Sequence, residues 1–248
     1  MLSPMDQLIV ASRFNGPPRS GNGGYTCGLL AHEFGLGETV EVTLRRPPPL
    51  DVALDLRRGE TLELLDGETL VAEARAVEET VDAVDPVDLE TARAASEHYP
   101  GLGSHPFARC FGCGTERPDG LRVFPGPVAG DDAGRVAAAW TPAESTAADW
   151  HEYDDPTERC SVATTWTALD CIGGWACDQG ERLMVLGRMT AVLDTLPAVG
   201  EPHVVVAQRV GGEGRRSLSL ATLYDPDGRI VGRARHTWVA IDPSSFDA

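Results

Sequence analysis

The chain contains no lysine. Its 21 basic residues are all arginine, set against 38 acidic residues, and the net charge is −17. The bulk field of such a chain repels nucleic acid and anionic membranes, so an anionic ligand needs a local arginine cluster. Long apolar runs are missing too: none approaches the ~20 residues of a membrane span. The first residues, MLSPMDQLIVASRF, have neither a basic start nor an apolar stretch of signal-peptide length. The expectation is a cytoplasmic protein with no nucleic-acid and no membrane partner. Cysteine is sparse, with six in 248 residues, which excludes a disulfide scaffold and implies reduced thiols. Cys110-Phe-Gly-Cys113 has the spacing of half a zinc site, but no second CxxC or HxxxH follows. Ordinary thiols in a tight glycine turn, with no metal, are expected.

What is present is a soluble globular composition, 42% hydrophobic and 24% charged, long enough for one large domain or two small ones. The organising stretch is Ser161 to Cys177, SVATTWTALDCIGGWAC. Val162, Trp166, Leu169, Gly173 and Ala176 share one helical face. The run carries one carboxylate, Asp170, and an interior Gly-Gly pair, each glycine costing about 1 kcal/mol relative to Ala. A central helix closely wrapped by a sheet is predicted, the glycines admitting a near neighbour.

Taken in order, residues 8–10 predict a short strand, followed by the loop FNGPPRSGNGG and a helix over 24–36 with Tyr25, Leu29 and His32 on one face. Alternation at Val40, Val42 and Leu44 is broken by Pro47 to Pro49 and resumes at Val52, Leu54 and Leu56, then at Leu62 and Leu64. Asp66-Gly67 predicts a hairpin turn, with the last strand starting at Leu70. Residues 80–106 are acidic and proline-punctuated, with a short helix predicted over 86–98, and form a connection between two halves. The second half repeats the order. A turn-rich stretch over 107–128 leads to a strand at 135–141, an acidic loop, the helix at 161–177, and strands near 183–195, 202–210, 216–225 and 229–241. Asp225-Pro226-Asp227-Gly228 matches the earlier Asp-Gly turn. The repeat sets boundaries at 1–82, 83–106 and 107–248.

That order, and the words CFGCGTERPDGLRV and LDCIGGWA, resemble the hotdog-fold thioesterase superfamily. There a "CFxCGxxNPxGL" signature and an "LDxxxGWA" helix recur in small acyl-CoA thioesterases. FNGPPRSGNGGY resembles the Gly-Gly approach to the same helix. The resemblance implies an α+β double hotdog, two central helices each wrapped by an antiparallel sheet, and a covalent pseudo-dimer that can pair again as a homodimer. In the family a "His-Gly-Gly" opens the helix and an Asp follows nine residues after the His. In the first half Asn22-Gly23-Gly24 stands at the "His-Gly-Gly" place, with Ala31 nine residues on. In the second half Asp170 matches the acid, with Ser161, Val162 and Ala163 at the opening. Each half departs from the pattern where the other keeps it. Because family sites form across the dimer interface, the resemblance implies one composite site, Asn22-Gly23-Gly24 with Asp170, and a dead reciprocal one.

For thioester hydrolysis Asp170 would activate water or attack directly, Gly23 and Gly24 would donate backbone N–H groups to the developing oxyanion, and Asn22 would orient carbonyl or water. Tyr25, Trp166 and Arg188 are assigned to substrate, Arg188 alongside Arg45, Arg46, Arg215 and Arg216 as partners for CoA phosphates. No cofactor is expected beyond the CoA of the substrate. His32 and His236 fit core or rim positions. His151, among Asp149, Glu152, Asp154 and Asp155, fits a solvated loop. Cys171 has no paired His and is no nucleophile candidate. The alternatives are a non-catalytic acyl-CoA or lipid binder and an acyl-thioester hydratase or dehydratase.

Overall fold

The structure is a computed structural model that describes residues 6–147, 156–177, 179 and 182–242. The acidic loop around His151 lies outside the described residues. Among the described residues eleven strands form one antiparallel sheet: β1 (Asp6–Ile9), β2 (Val40–Leu44), β3 (Ala53–Arg58), β4 (Leu62–Asp66), β5 (Thr69–Ala76), β6 (Gly126–Pro127), β7 (Val136–Trp140), β8 (Met184–Leu193), β9 (His203–Glu213), β10 (Arg216–Tyr224) and β11 (Ile230–Ala240). Three α-helices among the described residues accompany them: α1 (Gly23–Ala31), α2 (Leu89–Glu97) and α3 (Val162–Trp175).

The strand order is β1-β3-β4-β5-β2-β8-β11-β10-β9-β7-β6. Read outward from the centre, β2-β5-β4-β3-β1 is matched by β8-β11-β10-β9-β7. The join is the β2–β8 pair, with Val40 opposite Ala191 and Thr43 opposite Arg188. The β4–β5 and β10–β11 turns place Gly67 at φ +58° and Gly228 at φ +77°, which glycine adopts without strain. Asp225 Oδ1 accepts from the N–H groups of Asp227 and Arg229, bracing the second turn.

The first helix is shorter than the predicted 24–36. It ends at Ala31, a 3₁₀ turn takes His32–Phe34, and Gly35 at φ +86° stops it. The helix predicted over 86–98 covers 89–97, because Asp88 Oδ1 accepts from the Thr91 N–H and fixes the start. The segment around it is no free tether. Val84, Ala92 and Ala95 pack against Ala137, Val204, Val206 and Tyr224, and the Tyr224 hydroxyl donates to the Val84 carbonyl at 2.5 Å.

All fourteen residues of α3 are buried. One side lies on the second half of the sheet, where a Cβ on Gly173 would meet His236 Nδ1 at 2.7 Å and one on Gly174 would meet the Trp238 ring at 3.1 Å. The Gly-Gly pair therefore lets the sheet approach the helix. The other side meets α1. Gly24 faces Asp170 and Gly28 faces Trp166 and Ala163, so the helices run antiparallel, and the two glycines four apart remove the Cβ atoms that would separate them. Burying Leu169 and Ile172 completely contributes roughly 1.5–3 kcal/mol each.

Candidate active site

The site lies where α1 begins and α3 passes it. Asn22 is the N-cap of α1, and its Oδ1 accepts from the Tyr25 N–H at 2.8 Å. The Asn22 N–H donates to Phe14 O at 2.8 Å. The Gly24 N–H donates to Asp170 Oδ2 at 2.8 Å. Of the first-turn donors of α1, these leave the Gly23 N–H, on the wall of the adjoining cavity. Gly24 cannot carry a side chain here, because its Cβ would lie 2.4 Å from Asp170 Cβ.

Asp170 is 3% exposed, and its Oδ1 has no hydrogen-bond partner. Burial pushes its carboxyl up to about 8, the Gly24 N–H opposes that rise, and the Cys110 charge adds to it. An acid with one oxygen tethered, the other unsatisfied and its ionisation near neutrality is suited to taking a proton from a bound water.

The cavity measures about 280 Å³. It is lined by Asn22 and Gly23 at the start of α1, by Asp170, Cys171, Gly174 and Trp175 of α3, by Leu44, Met184, Leu186 and Trp238 of the strands, and by Arg45, Arg46, Pro47 and Pro48 after β2. His105 and Phe107, ahead of the CFGC turn, close another side. Both ring nitrogens of His105 are engaged: Nδ1 accepts from the Phe107 N–H at 2.9 Å, which leaves Nε2–H to donate to Cys113 O at 3.1 Å. Burial lowers its ionisation below the usual histidine range.

Three thiols converge beside Asp170. The Sγ atoms of Cys110, Cys113 and Cys171 all lie within 4.8 Å of one another, with Cys110 and Cys171 at 3.8 Å. Asn22 Nδ2 sits 3.5 Å from the Cys110 sulfur and 3.7 Å from that of Cys171. The Asn22 amide thus serves the helix cap through its oxygen and faces the two sulfurs through its nitrogen.

Of the residues singled out in the sequence, Asn22, Gly23, Gly24 and Asp170 come together. Arg45 and Arg46 line the cavity, and Arg45 Nη2 also pairs with Glu73 at 2.5 Å. Tyr25, Trp166 and Arg188 stand off the cavity wall, each held elsewhere by packing or pairing. Tyr25 stacks on Phe14 at 3.8 Å between centroids. Trp166 is buried against Gly28 between the helices. Arg188 reaches across the β2–β8 join to Thr43 Oγ1 at 2.9 Å and Glu41 Oε2 at 3.3 Å. Sequence reasoning missed His105 and the third thiol. The first lies just ahead of the CFGC word. The second was in view as the neighbour of Asp170, but only folding brings it to Cys110 and Cys113.

No family model matches this chain, and no curated protein matches it. Solved structures do. A candidate thioesterase from Novosphingobium aromaticivorans aligns over 95% of both chains at 13% identity with a TM-score of 0.60. A candidate thioesterase II from Thermobifida fusca aligns over 90% of this chain and 88% of its own, at 13% identity and 0.57. A protein of unknown function from Alicyclobacillus acidocaldarius, described as having the hot dog fold, aligns over 96% and 92% at 12% identity and 0.51. At such identities the likeness establishes the fold, and the chain is an α+β protein of the hotdog type. Among the described residues no helix is long and apolar enough to cross a membrane.

Proposed function

We propose that the chain is a thioester hydrolase of the acyl-CoA thioesterase kind, built as a double hotdog from units 1–82 and 107–248 joined by 83–106, with one composite site between them. The mirrored strand order about the β2–β8 join supports the duplication. The observation that carries the activity is the buried Asp170 carboxylate, a residue of the cavity lining, held on the first turn of α1 by the Gly24 N–H and with its second oxygen unpartnered.

In this reading the thioester carbonyl enters the cavity with its oxygen toward the Gly23 N–H and the positive end of α1. Asp170 Oδ1 takes a proton from water, the hydroxide attacks the carbonyl carbon, and collapse breaks the C–S bond. The leaving thiolate takes up the proton. Gly24 serves the acid, so the oxyanion has one backbone donor from this helix. Arg45 and Arg46 supply local positive charge for an anionic CoA tail in a chain that is otherwise strongly acidic.

The hydratase alternative needs a histidine with a free nitrogen, and the cavity histidine His105 has none. The non-catalytic binder differs in outcome only. The test is release of free thiol from short, medium, long and aromatic acyl-CoAs by wild type and Asp170→Asn. Turnover that falls by about 10²–10⁴-fold in a folded variant supports the acid as general base. Turnover that survives moves the chemistry elsewhere. Thermal stabilisation by acyl-CoA without turnover identifies a binder.

A further inference from the structure

We propose that Cys110, Cys113 and Cys171 form a metal site for a thiophilic divalent cation, with zinc the natural occupant and a fourth position on the cavity side. The inference stands apart from the hydrolase reading, since the three sulfurs would hold a metal whether or not Asp170 is catalytic.

Geometry is the first support. Sulfurs at 2.3 Å from a tetrahedral zinc are about 3.8 Å apart. Cys110 and Cys171 stand at 3.8 Å, and all three sulfurs fall within 4.8 Å. Only a small closing movement at Cys113 separates the cluster from a ligand set.

The surroundings are the second support. The Asn22 amide N–H points at the sulfurs of Cys110 and Cys171, at 3.5 and 3.7 Å. Donors around sulfur stabilise the thiolate that a metal requires, and they orient it. Gly112 is the residue that admits the third thiol, since a Cβ there would lie 2.4 Å from Cys171 Sγ. Cys171 is fixed by a fully buried helix and the other two by a tight turn, so the site is built on rigid elements.

A disulfide is the competing use of such thiols. It would pair two sulfurs, strand the third, and require an oxidant. Three convergent thiols fit a soft metal better, and thiolate ligation favours zinc, copper(I) or iron. Zinc has no redox demand and no geometric preference beyond four-coordination. All three cysteines line the cavity, so the fourth position opens toward it. Asp170, whose Oδ1 is buried and without a partner, lines the same cavity and directly precedes Cys171.

The test uses the full chain, purified without chelator and analysed for metal by mass spectrometry. It is then stripped and titrated with Zn²⁺ or Co²⁺ alone. The expected result is one zinc per chain, proton release on rebinding, and thiolate-to-cobalt charge-transfer bands with tetrahedral d–d absorption. Cys113→Ser and Cys171→Ser lose the cobalt spectrum while Cys177→Ser keeps it, and Asn22→Ala weakens affinity by about 10–100-fold. If the serine variants fail to fold, the wild-type cobalt titration decides. No metal and no cobalt spectrum in wild type overturns the proposal. So does a cobalt spectrum that survives Cys171→Ser, or a reductant-sensitive mass change that reports a disulfide in place of metal. Iron or copper at the same thiols overturns the choice of zinc.

Discussion

The two central helices begin alike and are then used differently. Each starts on a side-chain cap: Asn22 Oδ1 accepts from Tyr25 in α1, and Ser161 Oγ accepts from Thr164 in α3. After the cap α1 has Gly23 and Gly24, whereas α3 has Val162 and Ala163. Nine residues after the cap α1 has Ala31 and α3 has Asp170. The start of α1 therefore meets an acid through a bare backbone, while by the same spacing the start of α3 meets a methyl group. A cap is a folding device and survives at both ends. The acid and the glycines are a costly pair that helix formation does not need, and they stand together at one end only.

Relocating the acid is the severest way to break that difference. Asp170→Asn is expected to cost about 10²–10⁴-fold in turnover. Ala31→Asp with Asp170→Ala puts a carboxylate at the other end, where Val162 and Ala163 carry side chains in place of the glycines. Turnover of that double variant is expected to stay at background, with stability lowered by the newly buried carboxyl. Recovery of thiol release in it would mean that the glycines are dispensable.

Gly24→Ala tests the same comparison through packing. Its Cβ would sit 2.4 Å from Asp170 Cβ, inside contact distance for fixed backbones. The expected loss is about 1–3 kcal/mol by urea unfolding, from overpacking. Adding Asp170→Gly removes the Cβ that the new methyl meets, and the double variant is expected to regain that contact cost, less the roughly 1 kcal/mol that a helix glycine costs relative to Ala. Simple addition of the two single effects would show that the contact is not what Gly24 relieves.

Legibility from sequence followed the same divide. Strand alternation and the Asp-Gly turns placed nearly every strand, because burial on a sheet face repeats with a fixed period, whereas α3 is buried on every side and not on the one face its spacing predicted. Gly23, Gly24 and Asp170 were visible because each violates what a helix prefers. The fine geometry was not visible. Whether Gly24 donates to substrate or to Asp170 depends on how closely α1 and α3 approach, and that follows from Gly28 meeting Ala163 and Trp166. Cys171 and Cys110 are 61 positions apart, and no local pattern joins them. Arg188 looked free for phosphate because Glu41 and Thr43 become its neighbours only when β2 pairs with β8.

Two buried titrating groups, Asp170 on α3 and His236 packed against it, give opposed pH effects. Asp170 titrates at about 8 in the fold against an ordinary 3.8. Its contribution to stability is present below 3.8 and is lost as pH rises toward 8. His236, buried beside Gly173 and Ser219, is lowered by burial to about 4 from 6.5. Its contribution is present above 6.5 and is lost as pH falls through 4. Between pH 4 and 6.5 the two slopes oppose each other. Asp170→Asn removes the falling one, so unfolding free energy, measured in chelator, is expected to rise by about 3 kcal/mol across that window. A flat profile in the variant would show that His236 does not stay neutral in the fold across that window.

The smallest effect separates the caps themselves. Ser161→Ala removes a side-chain acceptor from the start of α3 and is expected to cost about 1 kcal/mol by thermal or urea unfolding. Asn22→Ser, by contrast, makes α1 begin as α3 does. A serine hydroxyl can still accept from the Tyr25 N–H, so the helix is expected to lose only a few tenths of a kcal/mol. What the substitution removes is the amide donor aimed at the Cys110 and Cys171 sulfurs. Its signature is therefore weaker Zn²⁺ and Co²⁺ binding with nearly unchanged stability, the reverse of Ser161→Ala. If Asn22→Ser lowers stability as much as Ser161→Ala and leaves metal binding alone, Asn22 is a cap and nothing more, and the two helix starts are equivalent after all.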